Sequence, residues 1–242
     1  MKPNPNTFLL HERLKNIISD TPVGNKLPAE PELARQLGVS RATLRESMRT
    51  FETEGKIRRK QGSGTFVTQI STIIESGLEK LESIENLASK NNLPVTMGEC
   101  QIENRLATDE EIRALNGSAG DLIWSVNRVI HAEGRPVAYL IDILPMDIFL
   151  NEELTNSFSG SILDLILKQG RFSPQFSLTE INCVTASHNI ARSLGIQRGD
   201  ALLYFSSQLF DGNDSIIAYS HSYFLPGYFR FHLIRKIDTF QS

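Results

Sequence analysis

Between Glu32 and Gly55 the chain sets two short amphipathic helices on either side of a three-residue turn, and that spacing restricts the fold more than any other feature. Glu32 to Leu37 brings Leu33, Ala34 and Leu37 to one face and stops at Gly38. Ser40, whose hydroxyl can accept a free backbone N–H, opens a helix over Arg41 to Glu54, and Gly55 closes it. Upstream, Phe8, Leu10, Leu14, Ile17 and Ile18 recur at helical spacing over roughly 7–19, before Pro22 and Gly24 break the chain. Two helices joined by a short glycine-containing turn form a helix-turn-helix. On its second helix Leu44, Met48 and Phe51 make the core face, while Arg41, Arg45 and Arg49 form one basic row with Thr43 near the start. The N-terminal part of such a helix meets base edges in the major groove, where arginine pairs with guanine or grips phosphate. The same row also fits a solvated face paired with Glu46 and Glu52.

The next residues favour DNA. Ile57 to Lys60 and Thr65 to Thr68 read as two strands around Gln61-Gly62-Ser63-Gly64, and Arg58, Arg59 and Lys60 enter the turn. A small basic hairpin behind a recognition helix is the wing of a winged helix. Charge agrees: the whole chain carries −3, yet residues 1–70 hold 12 Lys+Arg against 7 Asp+Glu, leaving 13 against 21 for the remainder. The expected DNA-facing set is Ser40, Arg41, Thr43, Arg45 and Arg49 on the helix, with Arg58, Arg59, Lys60, Gly62, Gly64 and Thr65 in the wing.

Leu27-Pro28-Ala29-Glu30, Leu33-Ala34-x-x-Leu37-Gly38-Val39-Ser40-Arg41-x-Thr43-Leu44-Arg45-Glu46, Glu54-Gly55 and Gly62-x-Gly64-Thr65-Phe66-Val67 together resemble the winged-helix domain of the bacterial GntR regulators. The resemblance implies operator contacts at Arg41, Thr43, Arg45 and Gly64. It departs at Ala29-Glu30-Pro31, where the family has Ser-Glu-Arg. Alanine is a poor N-cap, costing about 1 kcal/mol. Pro31 also removes a family cation, so operator affinity is expected to differ from the family norm.

The chain of 242 residues is 40% hydrophobic and 22% charged, an ordinary globular composition with length to spare for a second domain. No stretch approaches the ~20 apolar residues of a membrane span, no secretory signal precedes the first helix, and a cytoplasmic location, at the nucleoid when DNA-bound, is expected. Cys100 and Cys183 form no disulfide framework, and the five histidines show no metal spacing. With no GxSxG elbow or phosphate loop either, catalytic and metal-ligating residues are expected to be none, and no cofactor is expected. The expected organisation is a DNA-binding domain at 1–68, a linker at 69–80 and a second domain at 81–242. A helix over Ser83 to Lys90 opens the latter. Beyond it lies a weak repeat: Thr108 to Tyr139 and Thr185 to Tyr219 each read helix, Gly-Asp, strand, turn, strand, with the Gly-Asp pairs 79 residues apart. Alternation in both arms predicts an antiparallel sheet, and Ile162 to Leu167 a mostly apolar helix.

Gly134-x-Pro136-Val137-Ala138 leading to Leu144-Pro145, Ser161-Ile162-Leu163-Asp164-Leu165, Ala191-x-x-Leu194-Gly195 with Gly199, and Tyr219-Ser220-x-Ser222-Tyr223 with Arg230-Phe231 resemble the UTRA effector-binding domain of the HutC subfamily. The resemblance implies an α+β protein: a winged helix-turn-helix joined to an antiparallel-sheet α/β domain of the UTRA or chorismate-lyase-like type. It also implies a regulator, in the family most often a repressor, that binds palindromic double-stranded operator DNA as a homodimer under control of a small-molecule effector. Where sugar-phosphate-binding members carry two arginines, this chain has Arg128 and Ile130; family glutamates align with Leu140 and Ala218. The expected effector is therefore uncharged or singly anionic, anchored by Arg128, walled by Ile130, Leu140 and Ala218, and oriented by Ser220 and Ser222. A register slip of one would instead present His221. Two other readings stay open: a second domain that only dimerises, and an enzyme of chorismate-lyase-like fold.

Overall fold

The computed structural model describes residues 5–60, 62–68, 73–149, 154, 158 and 160–235. The chain divides into two compact units, Met1–Ile73 with Pro226–Tyr228, and Ile74–Leu225 with Phe229–Ser242.

In the first unit α1 (Pro5–Asp20), α2 (Glu30–Leu37) and α3 (Arg41–Thr53) precede a hairpin of β1 (Ile57–Lys60) and β2 (Gly64–Val67). Helix α2 starts two residues before the expected Glu32, because Pro31 is tolerated in a first turn and the Ala29 carbonyl accepts the Leu33 N–H at 2.9 Å. Ala29 itself gives no side-chain cap. One apolar cluster takes Leu10, Leu14 and Ile18 from α1, Leu33 and Leu37 from α2, Leu44, Met48 and Phe51 from α3, and Ile57 and Val67 from the hairpin. The stretch before α2 extends this hairpin: the Leu27 N–H donates to Thr65 O at 2.8 Å and the Val67 N–H to Asn25 O at 2.9 Å.

The second unit is a six-stranded antiparallel sheet with helices on both faces. Its elements are β3 (Ile74–Gly77), α4 (Ile84–Lys90), β4 (Val95–Leu106), α5 (Asp109–Leu115), β5 (Leu122–Ala132), β6 (Arg135–Pro145), α6 (Ile162–Gln169), β7 (Pro174–Thr185), α7 (His188–Leu194), β8 (Ala201–Asp211), β9 (Ile216–Phe224) and β10 (Phe229–His232). Sheet order is β4-β5-β6-β9-β8-β7. The repeat is longer than the sequence suggested: strand, helix, strand and strand recur, and β7, α7 and β8 each begin 79 residues after β4, α5 and β5. The two copies meet at the β6–β9 seam, where Tyr139 faces Tyr223 and Ile143 faces Tyr219. The first hairpin turns through Glu133 and Gly134, both at positive φ (51° and 72°), the combination a two-residue turn between twisted strands demands.

Alternation sorts the side chains. Trp124, Val126 and Leu144 pack with Ile162 and Ile166 of α6 on one face. Ile123, Ile143 and Tyr219 pack with Ala114 and Leu115 of α5 on the other, and α7 lies against β6.

The expected linker at 69–80 needs correction. Residues 69–72 lie outside the described residues, but Ile74–Gly77 is a strand, paired in parallel with Phe229–His232. Ile74 is completely buried, and burying that side chain together with the paired backbone fixes the segment in the second unit. Among the described residues no helix is long and apolar enough to cross a membrane.

Candidate functional sites: a basic helix and wing, and a buried arginine on the sheet

Ser40 caps α3 as expected, its Oγ accepting the Thr43 N–H at 3.1 Å. Burial of Leu44, Ser47, Met48 and Phe51 turns Arg41, Thr43 and Arg45 outward. The basic row is structured by carboxylates. Arg45 Nε donates to Glu30 Oε2 of α2 at 2.6 Å, linking the two helices of the motif, and Arg49 pairs with Glu46 at 2.8 Å. In the hairpin Arg58 and Lys60 are exposed, and Lys60 Nζ lies 5.3 Å from the centre of the Phe66 ring. Arg41 and Arg58 form no ion pair among the described residues.

Two wing residues sit differently from expectation. Arg59 folds back: its backbone N–H donates to Glu52 Oε1 at 3.1 Å and its guanidinium to the Arg45 carbonyl at 3.3 Å, so it braces α3 against the wing. Thr65 is 7% exposed and faces the core, because Gly64 and Phe66 take the outward positions of β2. Gly64 stands at φ +115°, a backbone conformation that residues with a side chain rarely adopt, so any other residue at the tip would be strained.

On the sheet, Arg128, Leu140 and Ser222 lie directly opposite one another across β5, β6 and β9. Ile130, Ala218 and Ser220 share their face, the α6 side, and His221 faces the other way. There His221 Nδ1 shares a hydrogen bond of 2.5 Å with Tyr204 Oη, and burial lowers its pKa below the ordinary value. Ile130, Leu140 and Ala218 are buried, while Ser220 and Ser222 are partly open.

Arg128 is not the spare cation the sequence suggested. It is 4% exposed, donates to Asp142 Oδ2 of β6 at 2.9 Å, approaches Glu85 Oε1 of α4 at 3.5 Å and donates to the Gly160 carbonyl just before α6. Its guanidinium carbon lies 5.6 Å from the centre of the Phe158 ring. One guanidinium therefore faces two carboxylates, as burial of a charge requires. Arg128 Nε, Glu85 Oε2 and Trp124 Nε1 remain buried without hydrogen-bond partners. The helix starts around the cluster are tied together: Ser83 Oγ and Asn86 Nδ2 donate to Asp164 of α6 at 2.7 and 3.1 Å. A separate cavity of about 590 Å³ opens on the α5 side, lined by Ala107, Ile112, Leu115, Ile123, Pro145 and Met146, and holds none of the seven expected effector residues. Among the described residues no group of three or more His, Cys, Asp or Glu could hold a metal ion.

Sequence reasoning missed Glu30, Glu85 and Asp142. Asp142 was accessible to it, since it lies two residues from Leu140 and so shares its face. Glu85 had no signal: it sits 43 residues from Arg128, on a short helix whose placement only the fold supplies.

A winged helix with an outward basic row, followed by a two-faced sheet with a buried polar cluster, defines a DNA-binding transcription regulator with an effector-binding domain. Residues 10–67 match the bacterial regulatory proteins of the gntR family, and residues 93–230 match the UTRA domain. The UTRA match spans more than half of the chain, which belongs to the UTRA-domain proteins and carries a gntR-type region ahead of that domain. It is 29% identical over 226 residues to the HTH-type transcriptional repressor NagR of Bacillus subtilis (strain 168), covering 91% of this chain and 90% of that protein. It is 24% identical over 225 residues to the histidine utilization repressor of Pseudomonas putida, covering 86% and 85%. Among solved structures, PhnF from Mycobacterium smegmatis superposes with a TM-score of 0.64 at 20% identity, covering 94% of this chain and 99% of that one. The possible transcriptional regulator YydK of B. subtilis superposes with a TM-score of 0.58 at 23% identity, covering 96% and 100%.

Proposed function

We propose that this regulator is a cytoplasmic repressor that binds a palindromic operator as a homodimer and responds to a small molecule held on the α6 face of its sheet, which it binds without turnover. The observation that carries the DNA half is the exposed set of Arg41, Thr43 and Arg45 on the second helix of the motif, together with exposed Arg58 and Lys60 in the wing. One recognition helix reads a half-site, so a palindrome takes two copies. Arg45→Ala should lose discrimination between operator and random duplex, whereas Lys60→Ala should weaken both and lower the salt slope by about one. An Arg45→Ala protein that binds operator like the parent would put the reading surface elsewhere.

The charge at Arg128 narrows the effector. With Asp142 and Glu85 around one guanidinium the cluster is net acidic, so it favours a neutral polar or cationic ligand with donors for Glu85 Oε2, and the anionic option loses its anchor. Thermal-shift screening should find polyols or amines that stabilise the protein. Strong stabilisation by a phosphate ester would contradict this.

Helix α4 offers a route outward. Glu85 touches Arg128, while at the helix end Asn91 donates to the Glu75 carbonyl at 3.2 Å and accepts the Glu75 N–H at 3.5 Å. Glu75 belongs to β3, the first strand after Ile73, where the first unit ends. A ligand that displaces Glu85 would pull on β3 and shift the balance between DNA-competent and incompetent states. Asn91→Ala should bind effector like the parent yet lose its effect on a mobility shift.

A further inference from the structure

We propose that the cavity beside α5, on the opposite face of the sheet from Arg128, is a second ligand site, and that its ligand is a small molecule with an apolar body and one ammonium group. The site is additional to the effector reading above and stands without it.

The cavity follows from an exchange between the two copies of the repeat. Helices α5 and α7 end on the same backbone frame. Asn116 and Gly195 each close their helix in the left-handed conformation. The next N–H reaches back into the helix, from Gly117 to Ile112 O at 2.8 Å and from Ile196 to Ala191 O at 2.9 Å. An aspartate then ties the turn: Asp121 Oδ2 accepts the Ser118 N–H at 2.7 Å, and Asp200 Oδ2 the Gln197 N–H at 2.9 Å. Such a helix end is commonly sealed by an apolar contact between the two residues that share the long backbone bond. In α7 they are Ala191 and Ile196; in α5 they are Ile112 and Gly117. The bulk has moved from the turn into the helix, and the space over Gly117 is left open.

The backbone does not demand this glycine. Gly117 lies outside the left-handed region, and the one close approach of a Cβ there would be to Asp121 Oδ2, at 2.8 Å. The cavity it borders measures about 590 Å³, within the range of small-molecule pockets. Ile112 and Leu115 of α5, Ile123 of β5, and Pro145 and Met146 where β6 ends give it apolar walls. Among the described residues its charged lining is Asp121 and Asp147, both solvent-exposed and so at the mouth. Arg171 donates to the Asp147 backbone carbonyl at 3.2 Å and does not line the cavity. Apolar walls under two carboxylates repel anions. They suit a ligand that buries its apolar body and keeps an ammonium group at the wet rim, where its charge is not desolvated. Ile123 faces α5 while Arg128 faces α6, so the sheet itself separates the two sites.

The test uses the full chain with isotope-labelled Ile, Leu and Met methyl groups, titrated with tryptamine or indole-3-propionate to about 5 mM, enough to fill a weak site. Tryptamine should shift the methyls of Ile112, Leu115, Ile123 and Met146, and indole-3-propionate should move them about tenfold less. Gly117→Ile, which copies the second half of the repeat, should abolish the tryptamine response and leave the methyl signals of Ile130 and Leu140 in place. Asp121→Asn, whose amide oxygen still accepts the Ser118 N–H, should weaken tryptamine binding about threefold. The parent and Asp121→Asn titrations do not depend on the Gly117 variant folding. A parent whose four reporters ignore tryptamine overturns the site, as does a response that survives in folded Gly117→Ile. Equal responses to the two probes overturn the choice of an amine. Shifts confined to Ile130 and Leu140 would put the amine on the α6 face, overturning this site and leaving the effector reading standing.

Discussion

The two halves of the sheet share a backbone and almost nothing of its chemistry. Arg128 faces Leu140 across the first hairpin; the matching pair in the second is Ser207 and Ser220. By the same correspondence Asp142 becomes Ser222, and the Arg105–Glu111 pair becomes Val184 and Ile190. The first half thus holds the buried charges and a shielded edge, while the second gives a neutral, hydroxyl-bearing wall and a bare edge. A duplicated scaffold needs only one charged cluster to bind one ligand. Keeping the other half neutral avoids a second desolvation cost and leaves its surface available for another task.

That division predicts unequal sensitivity to mutation, greatest at the buried pair. Asp142→Ala leaves Arg128 buried with only the more distant Glu85, and should cost about 3 kcal/mol in urea unfolding. Ser222→Ala, its counterpart, should cost less than about 1 kcal/mol. Since the loss comes from stranding a charge, Arg128→Met/Asp142→Leu should recover much of it. Equal costs at Asp142 and Ser222 would erase the proposed contrast.

The next largest effect concerns α5 against α7. Thr108 and Glu111 form a reciprocal cap on α5, and Arg105 donates to both Glu111 oxygens at 2.7 and 2.6 Å. Arg105 and the Thr108 N–H hold the Glu111 carboxyl down at about 2 despite its burial. A folded-state pKa below the unfolded value of about 4.3 gives a stabilisation that is complete above that value and lost as pH falls towards 2. On α7 the Ser187 cap stands alone, with Ile190 in the place of Glu111. Glu111→Gln should therefore cost about 2 kcal/mol at neutral pH, and the difference from the parent should shrink between about pH 4.3 and 2. Hydrogen exchange should show α5 losing protection in acid before α7 does.

How much of this the sequence carried depends on distance along the chain. The helix-turn-helix, its Ser40 cap, the wing glycines and the second helix-strand-turn-strand unit are local patterns, and their elements formed within a few residues of expectation. Alternation put Ser220 and Ser222 on the Ala218 face, the resemblance supplied Arg128 and Leu140, and the strand register sets all of them on one face. Burial and charge partners did not follow, because they depend on contacts far apart in sequence. Glu85 and Asp142 neutralise Arg128 from another helix and another strand, Glu30 reaches Arg45 from the preceding helix, and Ile74 turns an expected linker into a strand by finding Phe229. Strands β4 and β7 lacked a clean alternation because they are edges, half exposed on both faces.

The smallest change in stability falls on the β4 edge. Glu99 is exposed and Glu103 nearly so, and Glu99→Leu/Glu103→Asn should alter unfolding free energy by no more than about 0.5 kcal/mol. Its use lies in assembly. With both glutamates gone, Arg105 and the bulge at Gly98-Glu99 still shield the edge, so the protein should sediment as the parent does. Deleting residue 99 in that background removes the extra residue and moves Val95 to Met97 into the straight register that β7 already has. An opened β4 edge can pair with a further copy, so sedimentation velocity should then show species larger than the parent's, growing with concentration. If charge removal alone produces those species, the glutamates rather than the bulge shield the first half. If the deletion leaves sedimentation unchanged, a straight edge freed of its glutamates is not sufficient for pairing while Arg105 remains.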